Sequence, residues 1–478
     1  MPASNRNWNN IHAINSYKDM TNKSLYIAVA TLSISMLSSC GLYKKFEMPQ
    51  EESALAAEYV KAQEAEVDTT TFGNLRWQEV FTDPMLVDLI NQALANNVNM
   101  QNAKLNVDIA QAQLKGAKLS YFPSVALAPN GAFASFAGSD FIGTYQIPLA
   151  VSWEVDIFGK LLNNKRSAEA TLAQTQAYNQ AVRSQIIGGV ANCYYAIATT
   201  KRQIELSRET ATLWAESIEV MKNLKLDGRM NEAAIVQSTA NYYNLLGSIT
   251  DMEVALGELH NTMSLLLNVM PQKWSVSSDA YLTMPNIVRA GVPMVELAAR
   301  PDVKAAELDV AKAYYATNMA RAAFYPNLTI SANGGFTNSL GSAITNPGEW
   351  FVQLAGSLTA PLFSRGKNIA TLEASKAAQQ QAMNNFEYSL LNASAEVSNT
   401  MTICQKSDEK VKLLDKQVEN LEKSVEYTQE LLTLGTTTYL EVLTAQQSLL
   451  SAQMSQLSCE HTKTQAVINL YQALGGGR

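Results

Sequence analysis

The chain is short of what catalysis and nucleic-acid binding usually require. Of its 478 residues only three are histidine, His12, His260 and His461, and the last two stand singly in helical patterns. No Ser/His/Asp set, phosphate-binding loop, GxGxxG or HExxH motif occurs. An enzyme is therefore not expected, and neither a cofactor nor a metal site is. Four cysteines, Cys40, Cys193, Cys404 and Cys459, show no CxxC or metal-ligand spacing. The last three read as small buried hydrophobes. Charged residues make up 17% of the chain, the formal net charge is −7, and no basic tract carries interleaved aromatics. That balance excludes nucleic acid as the natural partner. Past the first 40 residues no apolar run reaches the roughly 18 residues a spanning helix needs. Any membrane-embedded part must then be β-barrel or lipid anchor.

What is present is a duplication. Residues 102–127 lie over residues 305–330 without a gap, and Ala103, Leu105, Val107, Ala110, Ala117 and Pro123 fall on Ala306, Leu308, Val310, Ala313, Ala320 and Pro326. Gly228 and Gly435 recur at a similar offset. A unit of about 200 residues is far longer than a solenoid repeat. It implies two similar halves, each a helix, a β-hairpin, a long helix, a turn and a second long helix.

Two periodicities divide each half. Tyr145, Ile147, Leu149, Val151, Trp153 and Val155 alternate with Gln146, Pro148, Ala150, Ser152 and Glu154. Trp350, Val352, Leu354 and Leu358 alternate in the same way with Gln353, Ala355, Ser357 and Thr359. Period-two alternation predicts strands with one greasy and one wet face. Weaker strands precede each, so four strands per chain are expected. Such strands suit a transmembrane barrel or the edge of a soluble sandwich, and four cannot close a barrel, because the smallest have about eight. Trp153 and Trp350 fit membrane-interface anchors or ordinary packing equally well.

The rest is helix. Neither residues 160–226 nor residues 367–434 contain proline. At 1.5 Å per residue each such helix is about 100 Å long. Apolar residues step by three and four through Tyr242, Leu245, Ile249, Met252, Leu256, Leu259, Met263 and Leu266, and again from Leu440 through Leu443, Gln447, Leu450, Met454 and Leu457. That seam needs a neighbouring helix, which predicts antiparallel coiled-coil hairpins. Gly228 and Gly435 mark their tip turns. Thr438 and Glu441 have capping-box spacing, and Gln447 on the seam reads as a register device or a lumen residue. Asp156, Phe158, Gly159 and Gly366 stand where strand passes into helix.

At the start, Lys23 precedes an apolar stretch from Leu25 to Leu37, followed by Ser38, Ser39, Cys40 and Gly41. This is a signal-peptide layout with a lipobox, in which Cys40 would carry lipid. Removing residues 1–40 takes away Arg6, Lys18, Lys23 and Asp19 and moves the net charge from −7 to −9. The expected organisation is a signal peptide over 1–39, a lipid-anchored segment over 40–84, and a first repeat over 85–268 with its β-hairpin at 124–155 and its helices at 160–268. A linker over 269–301 joins it to a second repeat over 302–474, with a hairpin at 327–361 and helices at 366–474, and a tail at 475–478.

Four stretches carry a family resemblance: Trp77–Ala93 (WQEVFTDPMLVDLINQA), Val151–Lys160 (VSWEVDIFGK), Arg300–Glu307 (RPDVKAAE), and Leu434–Gln446 (LGTTTYLEVLTAQ) with Leu470–Gly476 (LYQALGG). With the lipobox they resemble the TolC-like outer-membrane efflux proteins, lipoprotein branch, over nearly the whole mature chain. The resemblance implies a mainly α, mixed fold in which three chains join four strands each into a 12-stranded transmembrane β-barrel, continued by a periplasmic α-barrel. It implies a homotrimer in outer-membrane lipid, working with a periplasmic adaptor protein and an inner-membrane pump, and passively conducting drugs, amphiphiles or metal ions. It places Leu440, Glu441 and Thr444 in rings at a periplasmic gate, with one carboxylate per chain. Thr437 stands where relatives often carry a basic gating residue, leaving Leu440 and threonine hydrogen bonds to hold the gate. Leu149, Val151, Trp153, Trp350, Val352 and Leu354 would face lipid. Two rivals stay open: a duct of the same fold for protein secretion, and a non-porous periplasmic coiled-coil scaffold lipoprotein. If Cys40 bears lipid, Cys40→Ala abolishes labelling by a fatty-acid probe, and labelling that persists refutes the anchor.

Overall fold

The computed structural model describes residues 43–49, 53–64, 72–135, 142–227, 230–277, 294–339 and 348–477. The expected signal segment, Cys40, Gly228 and residues 278–293 of the expected linker lie outside them. The elements run α1 (Ala54–Glu64), a 3-10 turn (Phe72–Asn74), α2 (Trp77–Val80), α3 (Pro84–Asn96) and α4 (Val98–Leu119). Then come β1 (Ser124–Leu127), β2 (Asn130–Ala134), β3 (Ile142–Val155), α5 (Lys160–Leu226) and α6 (Glu232–Leu266). The second half holds α7 (Met294–Ala298), α8 (Pro301–Ala322), β4 (Asn327–Ser339), β5 (Glu349–Thr359), α9 (Lys367–Thr433) and α10 (Tyr439–Ala473). Helix α7 falls within the expected linker, and Pro301 is the first residue of α8 rather than the end of a loop.

The duplication is written in the helix lengths. Helices α4 and α8 have 22 residues each, α5 and α9 have 67, and α6 and α10 have 35. The halves do not fold separately, however. One compact unit draws on residues up to Met48, Ala110–Leu172 and Leu308–Met383, and the other on Pro49–Ile109, Ala173–Glu307 and Asn384–Arg478. Each unit contains matching pieces of both halves.

The first unit holds the sheet. All pairings are antiparallel, in the order β1–β3–β4–β5, with β2 also on β3. Strands β1 and β2 are two stretches of one chain path along β3. They are parted at Ala128 and Pro129, where proline has no N–H to donate. The four expected strands are thus present, the first in two pieces. Directly paired residues share a face. Leu127 lies opposite Leu149, Phe336 lies between Ile147 and Trp350, and Ile330 is opposite Trp153. One face is therefore apolar across every strand, and the other carries Ser152, Glu154, Thr329, Asn333, Gln353 and Ser357. Pro148 sits inside the central strand β3, an uncommon place. Its neighbour across the ladder is Gly335, where an added Cβ would come within 2.1 Å of the Ile147 carbonyl oxygen. The glycine gives the proline strand room.

The second unit is helical. Asp83 caps α3 by accepting from the Met85 N–H at 2.9 Å, and Pro84 occupies the first helical position, as its fixed φ and missing donor favour. Helices α5, α6 and α10 bury Trp214, Ile218 and Met221 against Ile235, Leu245, Ile249, Tyr439, Leu443 and Leu450. All eight seam positions from Tyr242 to Leu266 are buried or half-buried. The seam of α10 begins at Leu443, because Leu440 and Gln447 are exposed. Gln447 is thus not buried within the single chain. Helices α9 and α10 are antiparallel: Asp408 accepts from Lys463 at 2.6 Å and Asp415 from Gln456 at 2.7 Å. Cys193, Cys404 and Cys459 are free and buried, and burial pushes the first two thiols up to about 11. They remain protonated and inert at neutral pH.

Gly335→Ala is expected to destabilise the protein by about 1–3 kcal/mol through overpacking. Gly356→Ala, where an added methyl meets nothing within 4 Å, should leave stability nearly unchanged. Thermal unfolding of the two variants compares them directly, and equal midpoints would disprove the close approach.

Candidate functional site

Three regions hold the residues singled out from the sequence. The first is the passage from β3 to α5. Helix α5 starts with unsatisfied N–H groups, and Asp156 supplies acceptors from outside it. Its two carboxylate oxygens accept from Leu161 at 3.0 Å and Leu162 at 2.7 Å. A negative charge at a helix N-terminus also meets the favourable end of the helix dipole. Phe158 stacks on Tyr325 with centroids 4.8 Å apart. Gly159 has φ +69°, and a Cβ there would stand 3.0 Å from the Tyr43 ring. The buried Asn163 amide donates to the Gly159 carbonyl at 2.6 Å. Glycine is thus required twice over, by conformation and by space. At the matching passage into α9, Gly366 has φ +77° but nothing within 4 Å of an added Cβ, so conformation alone selects it.

The second region is the hairpin tip between α9 and α10. Gly435 has φ +73°. Its N–H donates to the Leu432 carbonyl at 3.0 Å, and the Thr436 N–H donates to Leu431 at 3.0 Å. This is a Schellman closure of the helix end. The capping box foreseen on the far side does not form. Thr438 makes no side-chain cap bond, and the Glu441 carboxylate accepts instead from the hydroxyl of Thr437. Glu441 is thus not consumed by capping. Leu440, Glu441 and Thr444 all lie on the exposed side of α10, opposite the buried Tyr439, Val442 and Leu443. Thr444 returns its hydroxyl proton to the Leu440 carbonyl at 2.8 Å. At the other tip, Asn231 caps α6 by accepting from Ala234 at 2.9 Å, and Lys225 pairs with Glu232.

The third set, on the sheet, forms one continuous surface. Leu149, Trp153, Trp350, Val352 and Leu354 are exposed, with Trp350 at 76% and Leu354 at 77%, and Val151 is half-buried. Trp153 donates its indole N–H to the Tyr121 carbonyl at 2.9 Å.

This combination of a duplicated helical hairpin and an apolar-faced sheet matches a known family. The model of the outer membrane efflux protein family fits residues 89–256 and 292–476. The chain belongs to that family. Relatives include the cation efflux system protein CusC of Escherichia coli O6:H1, 26% identical over 447 residues, covering 92% of this chain and 96% of the relative. The toluene efflux pump outer membrane protein TtgI of Pseudomonas putida is 25% identical over 455 residues, covering 93% and 97%. A crystal structure of CusC superposes with a TM-score of 0.78 at 24% identity, over 91% of this chain and 98% of that one, and shows the same fold. As a member of this family the chain is an outer-membrane efflux channel, a passive conduit and not an enzyme.

One residue of this efflux protein escaped notice in the sequence beyond its place in a quoted stretch. Arg300 is only 6% exposed. It donates from Nε to Asp302 Oδ1 at 3.0 Å, and from Nη2 to Asp302 Oδ2 and Glu396 Oε2 at 2.7 Å each. Its Nη1 donates to the carbonyl of Ala473 near the end of α10. Burial would push the Asp302 carboxyl up, yet the hydrogen bonds and charge of Arg300 outweigh it and hold the group below its usual range. The arginine fastens the start of α8 to α9 and to the last turn of α10. Only its adjacency to Pro301 and Asp302 hinted at this, since Glu396 and Ala473 are distant in sequence.

Asp156→Ala should cost about 1–2 kcal/mol, the usual worth of a helix N-terminal acceptor. Asp156→Asn, which keeps one acceptor, should recover part of it. Thermal unfolding followed by helical circular dichroism reads both, and an unchanged midpoint for the alanine variant would show that the cap carries no stability.

Proposed function

We propose that three copies of this chain close a twelve-stranded barrel in the outer membrane, through which small molecules delivered by an inner-membrane pump and a periplasmic adaptor leave the cell. The observation that carries this reading is the sheet. Its apolar face is solvent-exposed within one chain, and its outer edges, along β1–β2 on one side and β5 on the other, pair with no described strand. Open edges invite strand addition, and backbone groups can cross lipid only when every one is paired, which for strands requires closure. Edge β5 of one copy meeting β1–β2 of the next is a head-to-tail contact, and a rotation that closes it yields a ring. The predominantly apolar face favours a barrel wall over the sandwich edge and over a soluble scaffold. Lipid on Cys40 would add a second hold on the same membrane.

Leu440, Glu441 and Thr444 line the periplasmic entrance in this reading. One carboxylate per chain gives a ring that favours cations, and the bond from Thr437 replaces an ion-pair lock. Cargo is decided upstream. A relative named for cations and one named for toluene stand at nearly the same distance from this chain, which fits a duct whose specificity resides in the pump. Drugs, amphiphiles and metal ions are all within the class of cargo proposed.

Purified protein in planar bilayers should give discrete conductance steps with cation preference, and Glu441→Ala should lower that preference without abolishing the steps. Absence of any steps would sink the duct. Steps with unaltered preference would remove Glu441 from the conducting path.

A further inference from the structure

Charge is divided unevenly between the two compact units. Residues 43–48, 110–172 and 308–383, in the unit that holds the sheet, carry 12 basic and 8 acidic side chains, whereas residues 49–109, 173–307 and 384–478 carry 21 and 34. A chain of formal charge −7 thus has one basic part, and such asymmetry marks a surface with an anionic partner. Within that part the cations gather at one margin of the sheet. The register brings the strand ends Ser124, Val155, Asn327 and Thr359 together there. Every passage between strand and helix at that margin carries a cation: Lys118 before β1, Lys160 after β3, Arg321 before β4 and Lys367 after β5.

Several of these cations stand where the backbone disfavours them. Lys160 and Lys367 are the first residues of the two 67-residue helices, and neither helix has an acidic residue in its first turn. A helix N-terminus is the positive end of the dipole and repels a cation. Arg365 holds φ +51°, a left-handed conformation that is costly for a residue with a Cβ. The carboxylates of this unit do not balance the set. Glu154 meets Lys160, Glu169 meets Lys165 and Asp309 meets Lys312, while Asp156 is engaged by the α5 N–H groups. Glu349 opens β5 at the opposite end of the strands. Glu47 and Glu373 make no ion pair among the described residues. Nor do Lys44, Lys45, Lys115, Lys118, Arg365 and Lys367, and all six are exposed.

The surface beside the cations is apolar. Phe122 is 68% exposed, Leu362 96% and Phe363 86%. They stand in the chain between the apolar strand face and the cations. Leaving β5, the order is Leu358, Leu362, Phe363, Arg365 and Lys367, and running back from β1 it is Val125, Phe122, Leu119, Lys118 and Lys115. Aliphatic, then aromatic and aliphatic, then cationic is the order of a lipid leaflet met from its hydrocarbon side: acyl chains, interface, phosphates. We propose that this margin binds the headgroups of anionic phospholipids, with Lys115, Lys118, Arg365 and Lys367 at their phosphates and Phe122, Leu362 and Phe363 at the interface. The inference rests on the proposed barrel, since it requires the sheet to stand in lipid.

The test uses full-length protein in phosphatidylcholine vesicles doped with brominated phosphatidylglycerol or brominated phosphatidylcholine, whose acyl chains quench tryptophan on contact. Trp153 pairs with Ile330 near the cationic margin, and Trp350 pairs with Phe336 toward the opposite end of the strands. Trp350→Phe and Trp153→Phe therefore isolate the two ends in turn, and the other described tryptophans belong to the helical unit. At low salt phosphatidylglycerol should be preferred at Trp153 by about threefold, the worth of one exposed charge contact, with no preference at Trp350. High salt should remove the difference. So should a variant combining Lys115→Gln, Lys118→Gln, Arg365→Gln and Lys367→Gln, and if it does not fold the salt comparison on the otherwise unaltered protein decides. Equal quenching of Trp153 by the two lipids, the same preference at Trp350, or a preference that survives salt or the variant overturns the cationic margin and leaves the sheet in lipid. No quenching by either lipid overturns the barrel, and this inference with it, so the two failures are told apart.

Discussion

A sheet whose apolar face finds no cover within its own chain must find it elsewhere, and here that need governs the rest. Leucines, valines and tryptophans fill one side of β1–β5, while serines, threonines and amides fill the other. At about 25 cal/mol per Å² of apolar surface removed from water, leaving such a face wet is costly. No described helix is long and apolar enough to cross a membrane. The proposed closure of the strands through sister copies into a wall rests on the unpaired edges.

The junction between strand and helix is where that wall changes material, and the sequence spends unusual residues there. Asp156 answers the first N–H groups of α5, Gly159 takes a backbone conformation closed to other residues, and Asn163 holds its carbonyl. The second half solves the same passage with Gly366 and no such collar. The two halves are copies in length and periodicity, yet they have separated in local chemistry. A similar divergence separates the tips: Asn231 caps one return helix, while Thr437 and Glu441 bond to each other at the other.

Interleaving explains why the copies need one another. Each compact unit takes the strand-proximal pieces or the distal pieces of both halves. A single half would expose the coiled-coil seam of its helices and leave its hairpin with unpaired edges. Arg300 shows the cost of that arrangement in miniature. Its charge is buried and must be met at once by Asp302, by Glu396 and by the end of α10, three places brought together only in the finished fold. Removing one partner of such a cluster leaves an uncompensated charge.

Much of this was legible in the chain itself. Alternation marked the strands around Trp153 and Trp350, proline-free stretches set the 67-residue helices, and Asp83 with Pro84 announced α3. Those signals are local: a side chain's face, a missing N–H and a helix period depend only on neighbours a few residues away. The duplication was equally plain, because it is a property of order alone. Tertiary structure decided the rest. Glu441 accepts from Thr437 and takes no part in a capping box. Leu440 and Gln447 stand exposed, while Leu443 and Leu450 of the same helix pack into the core. Gly335 proved indispensable only when Pro148 arrived opposite it. Contacts between residues far apart in sequence leave no periodic trace, so no reading of spacing could have assembled them.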